Sequence, residues 1–304
     1  MEYESGSVHP TEAVSEGWAL IKSDYWLFFG MTLVMTLIVI VVSATVGGVV
    51  GAISQIVSRG IGAVSAGTPA NAASVLVPQL IAQAFGIISN LVTILLSALL
   101  TCGIYVALSR KASGGAPEFG DLFAGFKFFQ PCLIVALVFT LFQFVIGVTT
   151  VLIGFVFGIS RFGADVIAPG GKFDPKIFQT LIPAFLAIAL FYLIFSFVFG
   201  ALMFFIYQLI AVKNASAVEA ITQSVRAGLR NFFPLIGLFI IEGLIALAGA
   251  LVCGVGILFV VPILMAANFT AYLHVFGRPN NFAQHLPPPP PVFGAQPNSG
   301  FSQF

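Results

Sequence analysis

Six apolar stretches, at about residues 26–56, 75–108, 131–160, 179–212, 232–252 and 255–276, constrain this chain more than anything else in it. Each reaches the roughly 20 apolar residues that carry an α-helix across a bilayer core. Lipid offers no hydrogen bonds to open backbone, so only helices or closed barrels can span it. A spanning strand alternates polar and apolar residues, and the run from Leu27 to Val42 does not alternate. The expectation is an all-α, polytopic membrane protein with six transmembrane helices. Charged residues make up 8 % of the chain, against about a quarter in soluble domains, whose surfaces must be solvated. The formal net charge of +1 supplies no basic field for nucleic acid.

The first four runs exceed the bilayer's need, which implies tilt, kinks or protrusion, and Gly47, Gly48 and Gly51 are the expected bend in the first. Gly254 and Gly256 suit a tight turn between the last two spans. The opening segment, through Trp18, lacks the positive n-region of a secretory signal and reads as retained. Cys102, Cys132 and Cys253 lie in or beside apolar runs and read as packing residues. His9, His274 and His285 are scattered, so neither a metal nor another cofactor is expected.

Cations set orientation, because cytoplasmic loops retain them. With the amino terminus inside, Lys22, Arg110, Lys111, Lys127, Lys213, Arg226, Arg230 and Arg278 fall inside, and Arg59, Arg161, Lys172 and Lys176 outside. That bias places both termini in the cytoplasm.

The chain also repeats itself. Ala124-Gly125-Phe126-Lys127-Phe128-Phe129-Gln130-Pro131 and Ala227-Gly228-Leu229-Arg230-Asn231-Phe232-Phe233-Pro234 share the pattern A-G-apolar-basic-x-F-x-P. Glu12 to Glu16 parallels Glu219 to Gln223, and Tyr105, Tyr207 and Tyr272 each stand six residues before Lys111, Lys213 and Arg278. Three pseudo-repeated hairpins follow, over about 10–111, 116–213 and 216–278, within a membrane domain of 1–279. Each hairpin is preceded by a short amphipathic helix on the cytoplasmic side. The apolar stripes are Val14, Trp18, Ile21 and Tyr25; Phe119, Leu122, Phe123 and Phe126; and Val218, Ile221, Val225 and Leu229. Such a stripe either lies on the membrane or docks on the bundle. The tyrosines, with Lys22, Lys111, Lys127, Lys213, Arg226, Arg230 and Arg278, read as interfacial anchors, ring at headgroup level and cation on phosphate. Residues 280–304 are polar and proline-rich and are expected to be a disordered cytoplasmic tail, whose Pro287–Pro291 run offers a polyproline rod to a protein partner.

Two polar features sit inside the spans. Glu242 lies mid-span, where an ionisable side chain costs on the order of 3 kcal/mol to insert. It shares a helical face with Ala246, Gly249 and Cys253, small residues that admit another helix. In the second span Gln79, Gln83, Asn90, Thr93, Ser97 and Thr101 fall within an arc of about 80°. Such a face either lines a hydrated path or glues helices together.

Ala217-Val218-Glu219-Ala220, Ser224-x-Arg226, Asn231, Gly254-Val255-Gly256, Pro262 and Tyr272 together resemble a broad set of uncharacterised bacterial six-helix integral membrane proteins. Related segments form the membrane domain found with some glycerophosphodiester phosphodiesterases. The resemblance implies a six-helix fold in the bacterial cytoplasmic membrane, and it does not imply catalysis. No nucleophile elbow, P-loop or metal cluster is legible, so the chain is not expected to be an enzyme. Two functions fit: a membrane-organising or assembly component working with lipids or a protein partner, or a small-solute or ion transporter or channel using Glu242 and the polar face of the second span.

Overall fold

A computed structural model describes residues 6–64, 72–156, 176–251, 254 and 256–277, with side chains described within them except at 58, 60–83, 151–181 and 184. The proline-rich tail, Arg278, Cys253 and most of the two longer loops lie outside that description. The described elements are all helical: α1 (Pro10–Ile21), α2 (Tyr25–Val64), α3 (Ala72–Ala112), α4 (Asp121–Ala124), a 3-10 turn (Gly125–Phe128), α5 (Phe129–Val156), α6 (Lys176–Met203), α7 (Ile206–Lys213), α8 (Ala217–Arg230), α9 (Phe232–Leu251) and α10 (Gly256–Phe276). Six stretches among them are long and apolar enough to cross a membrane: Tyr25–Val57, Ala84–Ala112, Asp121–Thr150, Phe185–Lys213, Phe232–Leu251 and Gly256–Phe276.

Local chemistry sets the boundaries. Pro10 opens α1, where a missing N–H costs nothing. Ser216 is extended and its Oγ accepts from the Glu219 N–H at 3.4 Å, which starts α8. Asn214 ends α7 in the left-handed region at φ 52°. Gly254, at φ 70°, turns the chain between α9 and α10 as its position suggested. The helix α2, in contrast, runs unbroken for 40 residues through Gly47, Gly48 and Gly51. Between α6 and α7 the fourth span breaks, and Ser224 of α8 fills the gap. Its hydroxyl donates to the Leu202 carbonyl at 2.8 Å and accepts from the Phe205 N–H at 3.1 Å. Both backbone groups lost their helical partners at the break, and in a buried place they need others.

The core occupies one end of the bundle. It gathers Ile21, Phe28 and Met31, Leu99 to Leu108, Leu122, Cys132, Phe205 to Leu209, Ala220, Leu235 and Phe269 to Phe276. Toward the opposite end the same helices turn bulky residues outward, among them Ile40, Val49, Ile56, Leu141, Leu186, Leu193 and Leu251. Lipid tails are as apolar as leucine, so outward apolar side chains carry no penalty there and tight packing must rest on shape and hydrogen bonds.

Glycines permit that packing. A Cβ on Gly17 of α1 would lie 2.6 Å from the Ala267 nitrogen of α10; on Gly125, 1.8 Å from the Leu99 oxygen of α3; on Gly228 of α8, 2.4 Å from the Ala201 oxygen of α6. Gly103 answers Gly125 from the facing helix, 1.9 Å from the Leu122 oxygen by the same construction. Side-chain hydroxyls and amides complete the seams. Thr270 donates to the Ala13 carbonyl at 2.6 Å, and the Val8 N–H donates to Asn231 Oδ1 at 3.0 Å.

The second short segment is smaller than expected, one helical turn and a 3-10 turn that leads into α5. In all three short segments the docked face carries a glycine. Ala13, Gly17 and Ile21, then Asp121, Leu122 and Gly125, then Ala217, Ala220, Ser224, Ala227 and Gly228 are buried. The larger residues Trp18, Phe119, Phe123, Phe126, Val218 and Leu229 are exposed.

Candidate functional site

The polar face of the second span divides into two environments. Thr101 is buried at the core end and Ser97 is half-buried. Asn90 and Thr93 line a cleft of about 540 Å³ between α2, α3 and α5. Gln79 and Gln83 belong to α3, but their side chains lie outside the described residues. Thr93 is the adhesive part of the face, because its hydroxyl meets Ser43 Oγ of α2 at 3.2 Å and also donates to the Ser89 carbonyl at 3.0 Å.

The other polar residues of the cleft are Ser54, Ser89, Thr140 and Gln143. Gly47, Gly51 and Gly86 also line it. A Cβ on Gly51 or Gly86 would meet nothing within 4 Å, so these glycines leave space open. A second groove, about 380 Å³ between α5 and α6, is walled chiefly by Phe142, Phe191, Phe195, Phe199 and aliphatic residues. The two differ in chemistry.

Glu242 is not among the residues lining the polar cleft. It is half-buried on α9, and its Oε1 is buried with no hydrogen-bond partner among the described residues. The small strip beside it does admit a helix: a Cβ on Gly249 would lie 2.8 Å from Val260 of α10. Glu242 therefore stands apart from the cleft that Asn90 and Thr93 line.

The tyrosines read as headgroup anchors are buried or half-buried among helices. Tyr105 is 4 % exposed and Tyr272 1 %, while Tyr207 is half-buried. Tyr105 stacks near Phe269, and Tyr272 stacks on Phe276 with ring centroids 5.1 Å apart. A buried phenol needs a partner. Gln208 supplies one to Tyr105 when its carboxamide is turned to satisfy its neighbours: the oxygen then accepts from Tyr105 Oη at 3.2 Å and the nitrogen donates to the Phe204 carbonyl at 3.0 Å.

The cations remain near the rim. Lys22, Lys127, Arg226 and Arg230 are exposed. The Lys213 ammonium lies 4.8 Å above the Phe276 ring. Lys111 donates to Asp24 Oδ2, and that hydrogen bond, with a smaller one from Ser23, holds the Asp24 carboxyl below the usual carboxylate range. Arg110 pairs with Asp121 at 2.9 Å and with Glu118 at 3.4 Å.

Sequence reasoning passed over Gln208, Ser224, Asn231 and Thr270 as functional positions. The available signal was a polar residue flanked by small or apolar ones beside a span end. Among the described residues no cluster of three or more His, Cys, Asp or Glu side chains is arranged for a metal ion. Cys102 and Cys132 are buried free thiols whose sulfurs lie 3.7 Å apart.

Six spanning helices and a core of closely approached helices define an integral membrane protein that crosses the bilayer several times. A family described as a domain of unknown function, DUF7847, matches residues 125–297, more than half of the chain, and the chain belongs to that family. Comparison with curated proteins and with solved structures finds no match. The match shows no link to phosphodiesterases.

Proposed function

We propose that this protein is a non-enzymatic scaffold of the bacterial cytoplasmic membrane, made of three hairpin units that hold one leaflet by their cytoplasmic faces. The observation that carries the reading is the polarity of the three short segments. Each docks a glycine-bearing face on a span and presents bulky apolar residues outward, Trp18, Phe119, Phe123, Phe126, Val218 and Leu229 among them. Beside exposed cations such as Lys22, Lys127 and Arg226, that pattern suits a headgroup and acyl boundary. The seating order supports the threefold reading. The segment at Gly125 lies on the second span of the unit before it, α8 does the same, and α1 lies on α10 of the last unit, which closes a circle. The cation bias supports a cytoplasmic location for that rim and for both termini.

Trp18 and Trp26 are the 2 tryptophans of the chain, which makes a direct test possible. In full-length Trp26→Phe protein in nanodiscs, bromine placed high on the acyl chains should quench Trp18 more strongly than bromine near the bilayer centre. Emission at the water limit, with no quenching at either depth, would reject the proposal.

The buried, unpaired Oε1 of Glu242 favours a second reading, a proton- or cation-coupled transporter. The scaffold reading expects Glu242→Gln to fold and to leave cation flux into proteoliposomes unchanged. Flux that is present in the wild type and lost in a stably folded Glu242→Gln variant would decide for transport.

A further inference from the structure

We propose that the polar cleft between α2, α3 and α5 is a binding site for a neutral, polyhydroxylated group, the sugar or glycerol head of a membrane lipid or a free polyol of the same chemistry. Its lining includes Asn90, Gln143, Ser54 and Ser89. None of these four side chains hydrogen-bonds to protein among the described residues, and Thr140 of the same cleft has a buried hydroxyl without a partner. Polar groups left unpaired in a packed bundle are costly, and the protein supplies partners of its own at Ser224, Asn231 and Thr270, although not to Glu242 Oε1 or Asn268 Oδ1. Unused donors and acceptors grouped around an open volume therefore point to an occupant that hydrogen-bonds.

Among the described residues the lining contains no Asp, Glu, Lys, Arg or His. An ion would find no counter-charge in that lining, whereas a neutral group needs none. Carboxamides and hydroxyls each donate and accept, which matches the paired donor and acceptor character of sugar and glycerol hydroxyls. Phe144, Val50 and Ile87 supply apolar wall for the carbon faces of such a group. The volume, about 540 Å³, lies within the usual range of small-molecule sites.

Depth favours a headgroup-sized occupant at the leaflet opposite the basic rim. Thr93 stands 18 residues before Lys111 on the same helix, a distance of about 27 Å along the axis. That is close to the roughly 30 Å of a hydrocarbon core. The proposal does not depend on the scaffold reading, which concerns the other end of the bundle.

The test uses full-length protein in phosphatidylglycerol nanodiscs, with thermal unfolding as the readout. One arm adds monoglucosyl diacylglycerol, a second adds diacylglycerol without the sugar, and a third adds free methyl glucoside. The sugar-bearing lipid should raise Tm and the sugarless one should not. An equal shift from methyl glucoside assigns the site to a soluble polyol, and its absence assigns it to the lipid. Asn90→Leu and Gln143→Leu should each weaken the sugar-dependent effect by roughly tenfold in midpoint concentration, one charge-free hydrogen-bonding group being lost. Without sugar both variants should unfold at or above the wild-type temperature, because each removes an unpaired polar group from the membrane. No sugar-dependent shift in the wild type, or an undiminished shift in both variants, overturns the proposal.

Discussion

Gly125→Ala should destabilise the full-length protein by about 3 kcal/mol, or stop it accumulating in folded form. The new methyl would stand 1.8 Å from the Leu99 carbonyl and 2.7 Å from the Gly103 nitrogen, both backbone atoms of α3. A flexible side chain can swing away from an added carbon, whereas helix backbone moves only as a body. Relief therefore requires the segment 121–128 to lift from α3, which would uncover Leu122 and loosen the pairing of Arg110 with Asp121. The control is Gly51→Ala, where a Cβ meets nothing within 4 Å. Removing glycine's backbone freedom in a helix should leave that variant unchanged or more stable by up to about 1 kcal/mol. Denaturant unfolding in mixed micelles measures both. Equal stability of Gly125→Ala and wild type would mean that the two backbones do not approach as described.

The same two glycines show what the sequence discloses. Gly125 and Gly228 were conspicuous because the pattern A-G-apolar-basic-x-F-x-P recurs, yet recurrence does not say which backbone each glycine meets. Gly47 and Gly51, expected to bend the first span, stand in unbroken helix and line a cleft instead. Hydropathy located all six spans because insertion in lipid depends on each segment's own composition. Tyrosine near a cation at a span end was a weaker guide. The ring can reach headgroups or, given an amide such as Gln208, be satisfied inside the bundle. Composition of a single helix does not distinguish the two. The polar arc of the second span was visible as an arc, but its division into a glued part at Thr93 and an open part at Asn90 depends on where α2 and α5 stand. Nothing in the sequence marks Asp121 as the partner of Arg110, because the pairing depends on how the segment 121–128 lies against α3.

That pair yields the other large effect. Asp121 has a side chain only 6 % exposed, accepts the Glu118 N–H at 2.9 Å and meets Arg110 at 2.9 Å. Arg110→Gln removes the charge and leaves the carboxylate buried, a loss of about 3 kcal/mol, toward the lower limit for broken buried pairs because Arg110 itself is partly exposed. Adding Asp121→Asn should restore most of it, since the amide oxygen can still accept from Glu118 while no charge remains to be solvated. Lys111→Met is the contrasting variant. Its partner Asp24 is about a third exposed, and the pair should be worth less than about 1 kcal/mol. The sense of its pH dependence follows from the lowered Asp24 pKa. A depressed carboxylate contributes stability above its unfolded value, near pH 4, and loses it as pH falls through the folded value. The difference between Lys111→Met and wild type should accordingly fade on acidification. If Arg110→Gln loses no more stability at neutral pH than Lys111→Met, or Asp121→Asn fails to restore it, then the segment bearing Gly125 is held to α3 by backbone contact alone.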